Sequence, residues 1–172
     1  MGIDPYPADL YHVNALAKSV KDGYEEGKEV CLAGRLMSRR IMGKASFAEL
    51  QDASGRVQLY MNRDEICPGE DKSLYNEVFK KLLDIGDVIG VKGRMFTTQV
   101  GERSVHVTEL AVLAKSLRPL PIVKTDAEGK VHDAFTDPEQ RYRQRNVDLI
   151  VNPHVKDAFI KRTKLTNSMR NF

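Results

Sequence analysis

Ala45-Ser46-Phe47-Ala48-Glu49-Leu50-Gln51, Asp52-Ala53-Ser54-Gly55 and Arg56-Val57-Gln58-Leu59-Tyr60-Met61-Asn62 are two alternating runs joined by a turn, and their reading decides the fold. Neighbouring side chains on a strand point to opposite faces, so parity sorts each run. Ala48 and Leu50 share one face of the first, while Phe47, Glu49 and Gln51 share the other. In the second, Val57, Leu59 and Met61 take the core side, with Arg56, Gln58 and Tyr60 opposite. The Asp-Ala-Ser-Gly tetrad supplies turn-forming side chains and a residue tolerant of positive φ, which makes the pair a hairpin.

The same period of two runs outward in both directions. Upstream, Val30, Leu32, Gly34 and Leu36 alternate with Cys31, Ala33, Arg35 and Met37, a long strand with a glycine where a barrel can bend. Downstream, 88–97 and 104–113 read as two strands turned at Val100-Gly101-Glu102. Between them the apolar residues Leu74, Tyr75, Val78, Phe79, Leu82 and Leu83 form a helical stripe over 71–83, with Asp71 or Ser73 as N-cap. Leu10, Val13, Leu16, Ala17 and Val20 predict a further short helix over 8–22, stopped at Gly23. Three strands, a helix, then two strands is the order of an OB-fold, a five-stranded Greek-key barrel that often binds oligonucleotides across strands two and three. An SH3-like barrel or a small sandwich competes, and the central helix argues against both.

At 172 residues the chain can hold one core and a smaller appendage. Its 41% hydrophobic and 30% charged residues fit a globular protein. No apolar run approaches the roughly 18 residues a membrane span needs, and no signal peptide opens the chain, so no membrane partner and a cytoplasmic address are expected. Cys31 and Cys67 carry no evident chemistry, and the four histidines are scattered, so neither a metal nor a cofactor is expected in this chain. The net charge of +3 conceals an asymmetry. Residues 139–172 hold eight basic and three acidic side chains, leaving 19 and 21 in 1–138. The resulting division is an N-terminal helical extension at 1–24, an OB-fold at 25–116, a linker at 117–138 opened by the stiff Arg118-Pro119-Leu120-Pro121, and a helical, basic segment at 139–172. That last helix has no stop signal before Phe172, so the chain is expected to be truncated.

Candidate binding residues follow from parity. A lone phenylalanine more often fills a barrel rim, but Phe47 shares a face with polar neighbours, where an aromatic ring can stack on an unpaired base. Gln58 can accept from uracil N3 and donate to O4 at once, a pairing that cytosine is expected to reject. Glu109, near the end of the fifth strand, can accept from a base and would repel phosphate, or simply be a solvated strand end. Arg35, Arg39, Arg40 and Lys44 lie in a stretch without acidic residues, either a solvated strand end or a phosphate track beside the tight turn at Gly43. No phosphate loop, nucleophile elbow or acid/base carboxylate pair rises above background.

These residues carry a resemblance. Ala33-Gly34-Arg35-Leu36-Met37-Ser38-Arg39-Arg40-Ile41-Met42-Gly43-Lys44-Ala45-Ser46-Phe47, Leu50-Gln51-Asp52 and Gly55-Arg56-Val57-Gln58-Leu59-Tyr60 resemble class II lysyl-tRNA synthetases. So do Val107-Thr108-Glu109-Leu110, Leu117-Arg118-Pro119-Leu120-Pro121 and Arg141-Tyr142-Arg143-Gln144-Arg145. Aspartyl- and asparaginyl-tRNA synthetases share the fold and match the Arg-Arg-Ile-Met-Gly-Lys run less well. The resemblance implies that Phe47 stacks on an anticodon uridine, that Arg40, Gln58 and Glu109 read a uridine-rich triplet of tRNA(Lys), and that Arg39 and Lys44 support the RNA backbone. It also implies that residues from about 139 begin a catalytic domain whose ATP-binding and adenylate-binding motifs lie beyond Phe172. ATP, Mg2+, tRNA charging and a homodimer then belong to a longer enzyme, while this chain alone is expected to be inactive. Asn146 stands where such enzymes usually carry tyrosine. A free-standing OB module for single-stranded nucleic acid, or a barrel used only for protein contacts, are the alternatives.

Overall fold

A computed structural model describes residues 2–121, 124–125, 131–132 and 135–172. The chain divides into two compact units, Met1–Pro119 and Leu120–Phe172.

In the first unit five strands close into a barrel: β1 (Glu29–Met42), β2 (Ala45–Gln51), β3 (Arg56–Asn62), β4 (Val88–Thr97) and β5 (Arg103–Ala114), in the order β1-β2-β3-β5-β4. Only the β3–β5 pair is parallel. β1 serves both sheet edges because it is long: Glu29–Arg35 pair with β4 and Arg35–Met42 with β2. The register shifts between Leu36 and Ser38, a bulge that bends the strand around the barrel. Gly34 sits just before that bend, where a Cβ would lie 2.6 Å from the Gln51 carbonyl oxygen, so no larger residue fits without moving β2. The β1–β2 turn is closed by Gly43 at φ 68°.

The alternation seen in sequence is the alternation of burial. Ser46, Ala48 and Leu50 of β2 and Val57, Leu59 and Met61 of β3 point inward, meeting Leu32, Leu36, Ile89, Val91, Val105 and Val107. A helix between β3 and β4, Leu74–Leu82, plugs one end with Tyr75, Val78 and Phe79. It is wound as a π-helix, with Leu83 N donating to Val78 O at 2.8 Å. An apolar stripe of alternate threes and fours predicts a helix but does not separate the two windings. A four-residue helix, α2 (Arg63–Ile66), follows β3 directly.

The predicted helix over 8–22 shrinks to α1 (Ala17–Asp22). Asn14 and Ala15 instead run beside β1, where their N–H groups reach the Cys31 carbonyl at 3.1 and 3.4 Å and the Asn14 side chain accepts from Cys31 N at 2.7 Å. The free edge of β1 thus claims backbone groups that a longer helix would use internally, and Leu10, Val13 and Leu16 stay exposed. Asp52, in the β2–β3 turn, accepts from Ser54 N, Ser54 Oγ and Gly55 N through one oxygen, and through the other from Ala17 N at 2.6 Å, which anchors α1 on the hairpin.

In the second unit Lys124–Thr125 and Val131–His132 pair antiparallel, and the rest of 122–134 lies outside the described residues. Three helices follow: α3 (Pro138–Arg143), α4 (Arg145–Val151) and α5 (Pro153–Arg170). They are tied at Asp148, fully buried, which accepts from Arg141 Nε at 3.0 Å, Arg145 Nη1 at 2.5 Å and Asn152 Nδ2 at 2.7 Å.

Candidate nucleic-acid interface

Because β2, β3, β4 and β5 lie side by side, their outward residues form two neighbouring rows across the barrel. Arg40, Phe47, Tyr60, His106 and Arg94 occupy one set of paired positions; Ser38, Glu49, Gln58, Ser104 and Phe96 occupy the next. The aromatic members touch in sequence: Phe47 to Tyr60 at 5.3 Å between ring centroids, Tyr60 to His106 at 4.9 Å, His106 to Phe96 at 5.6 Å. All four rings are partly exposed, a surface on which flat bases can lie. His106 Nε2 lies 2.9 Å from a Glu65 carboxylate oxygen, an ion-pair distance out of line for a hydrogen bond.

Over one end of these rows opens a cleft of about 410 Å³. Its floor is Arg40, Phe47, Glu49 and Gln58, and its wall is the β4–β5 turn with Thr98, Val100 and Glu102, joined by Lys21 from α1. The wall is braced: Glu102 N donates to Thr98 Oγ1 at 3.0 Å, Thr98 N to Glu102 O at 3.0 Å, and the Glu102 carboxylate pairs with Lys21 at 3.2 Å. Val100 stands at the tip, 89% exposed.

Charge in the cleft is largely matched in pairs. Glu49 lies 3.2 Å from Arg56, and Lys21 holds Glu102, whereas Arg40 makes no ion pair among the described residues. With each carboxylate offset by a cation, the cleft is no dense positive track for phosphate. It presents hydrogen-bonding edges and one uncommitted guanidinium beside the ring of Phe47.

Of the residues singled out in sequence, the fold therefore brings Arg40, Phe47 and Gln58 into one cleft. Lys44 is exposed in the β1–β2 turn. Arg39, one residue from Arg40, faces the other way. Its position opposite Ala48 turns it to the π-helix, where Nη1 donates to the Phe79 carbonyl and, at 2.8 Å, to that of Leu83, with the guanidinium over the Phe79 ring. Glu109 sits within β5 rather than near its end, opposite Lys92 and 2.7 Å from its ammonium, and lines a separate cleft of about 280 Å³ with Cys31 and Arg94. Sequence reasoning missed Lys21, Glu102, Phe96, Ser104 and His106. Strand parity could have turned Phe96, Ser104 and His106 outward, but their neighbours depend on the parallel β3–β5 register, which no local signal sets.

The family of OB-fold nucleic acid binding domains that includes tRNA anticodon-binding domains matches residues 30–113. The chain is 66% identical over 171 residues to a lysine–tRNA ligase of Christiangramia forsetii, covering 99% of this chain and 30% of that protein. Against the lysine–tRNA ligase of Porphyromonas gingivalis the identity is 61% over 177 residues, and against that of Azobacteroides pseudotrichonymphae 60% over 174. The chain spans about a third of the length of these relatives. By its closed five-stranded barrel and the match over residues 30–113, this chain carries an OB-fold nucleic acid binding domain, within a stretch similar throughout to lysine–tRNA ligases.

Proposed function

We propose that this chain recognises the uridine-rich anticodon of tRNA(Lys) as the RNA-reading part of a lysine–tRNA ligase. The observation that carries the reading is the convergence of Phe47, Gln58 and Arg40 on one cleft of the outer barrel face. Phe47 offers a ring for a splayed base, Gln58 an amide for its edge, and Arg40 a charge for either a base or the backbone. Lys44, exposed at the turn beside them, supports the RNA backbone. Arg39 supports it indirectly, by fixing β1 on the π-helix. Glu109 enters only as a contact beyond the cleft, where RNA running along β4 and β5 would meet it. Attachment of lysine with ATP and Mg2+, a homodimer and a cytoplasmic address are proposed of the longer protein, and we assign no residue of this chain to ATP or Mg2+.

Competition binding tests the reading. An anticodon stem-loop carrying UUU should displace a labelled probe at far lower concentration than one carrying GGG. Equal displacement would favour an OB module that stacks bases without reading them, and salt-insensitive failure to bind either would favour a barrel for protein contacts.

A further inference from the structure

The Gln58 amide can meet a pyrimidine in two ways. With Oε1 at N3 and Nε2 at position 4 it pairs with uracil; turned over, Nε2 meets the cytosine N3 lone pair and Oε1 the N4 amino group. An amide free to turn would therefore serve both bases, and a glutamine in the cleft does not by itself exclude cytosine. Something has to fix the amide.

Ser104 is placed to do so. It is the Cα partner of Gln58 across the parallel β3–β5 pair, and it is fully buried between Gln58 and Phe96 although it lies on the outer face. Its Oγ donates to the Glu102 carbonyl at 3.2 Å and lies 3.1 Å from Gln58 Nε2. A carbonyl oxygen only accepts, so the Ser104 proton is committed to Glu102 and its lone pairs face Gln58. Nε2 is thus the atom that meets Ser104, and Oε1 with the second Nε2 proton remains for a ligand. Turning the amide over would set two acceptors together, or rotate the hydroxyl away from Glu102. The Glu102 carbonyl cannot follow, since Thr98 holds it from the other side of the turn.

We infer that Ser104 is a specificity-determining positioning residue: through the relay Glu102 O, Ser104 Oγ, Gln58 Nε2 it holds the amide in one orientation and so makes the cleft choose one pyrimidine over the other. This rests on the anticodon reading, which supplies uracil as the chosen base. The lock is worth about one net hydrogen bond, or roughly fivefold in the uracil-to-cytosine preference.

The test uses the whole chain and four synthetic anticodon stem-loops: UUU and the three loops with one U replaced by C. Gln58→Ala should abolish the U/C preference at one loop position. Ser104→Ala should lower the preference about fivefold at that same position, chiefly by tightening the C loop, and leave the other two positions unchanged. Ser104→Thr, which keeps a hydroxyl, should restore the ratio, and Ser104→Cys, of similar shape and weaker bonding, should repeat the loss should the alanine variant melt early. Equal weakening of all four loops by Ser104→Ala, or an unchanged ratio while Gln58→Ala abolishes it, overturns the lock and spares the anticodon reading. A full set of preferences surviving Gln58→Ala overturns the lock together with Gln58 as the reader, whereas a parent chain that binds all four loops equally overturns the anticodon reading.

Discussion

Removing the Phe47 ring separates a binding residue from a core residue by magnitude alone. Phe47 lies on the outer face of β2, and its neighbouring ring is Tyr60, at 5.3 Å and tilted by 57°. Phe47→Ala in the free protein forfeits that pair and some partly covered area, about 0.5–1.5 kcal/mol. A phenylalanine filling the barrel would instead cost about 3–5 kcal/mol on truncation. In the complex the variant loses the base stack as well, about 1–3 kcal/mol, so the Kd for a UUU stem-loop should rise by roughly five- to 150-fold. Urea unfolding and fluorescence titration of the same preparation read the two quantities. Phe47→Trp, which keeps a π face, should bind close to the parent. A stability loss in the core range, or an unchanged Kd with the fold intact, would refute the placement of this ring as a base platform.

Arg40→Ala should weaken RNA binding and flatten the log Kd against log salt plot by about 0.7 if its guanidinium neutralises one phosphate; an unchanged slope would assign it to a base edge instead. Arg39→Ala should leave the salt slope alone and lower stability by about 1–3 kcal/mol, because the Phe79 and Leu83 carbonyls lose a charged donor; a Kd that rises without loss of stability would return Arg39 to the RNA. Burial pushes the Asp148 carboxyl up from its ordinary 3.8, but hydrogen bonds from Asn152 and Arg141 and the charges of Arg141 and Arg145 outweigh it and hold the value lower. The stability this group supplies is therefore complete above that ordinary value and lost as pH falls through the lower folded one, so α3–α5 amides should lose protection against exchange below about pH 4, and Asp148→Asn should remove that acid-side dependence. Acid-side protection unchanged between the two proteins would sink that assignment.

What was legible in the sequence was local. β2 and β3 could be bounded at 45–51 and 56–62 because alternation, and a turn with Asp52 and Gly55, lie within one stretch of chain. The same parity put Phe47 and Gln58 on the solvent side, where they stand. The helix over 8–22 failed for a tertiary reason, since its backbone groups are taken by the free edge of β1 at Cys31. Glu109 failed to join the cleft for a related one: its neighbours follow from β4 register, which pairs it with Lys92. For Ser104 parity could give an outward face but no role, because a serine acquires its role only when a parallel strand from 46 residues away sets Gln58 beside it.

Arg39 and Arg40 show how strand geometry, more than residue type, divides labour. Both are arginines in a run without acidic neighbours, and composition would give both to phosphate. The β1 bulge ends at Ser38, and from there the pleat sends Arg39 with Ala48 toward the π-helix and Arg40 with Phe47 toward the cleft. The first meets backbone carbonyls at a helix end, where a cation and its donors satisfy groups that otherwise face each other unpaired. The second lies exposed beside Phe47 and makes no ion pair among the described residues. A one-residue slip of β1 against β2 would turn Arg39 away from the Phe79 and Leu83 carbonyls, so the contacts that keep Arg39 in place also keep Arg40 on the cleft side.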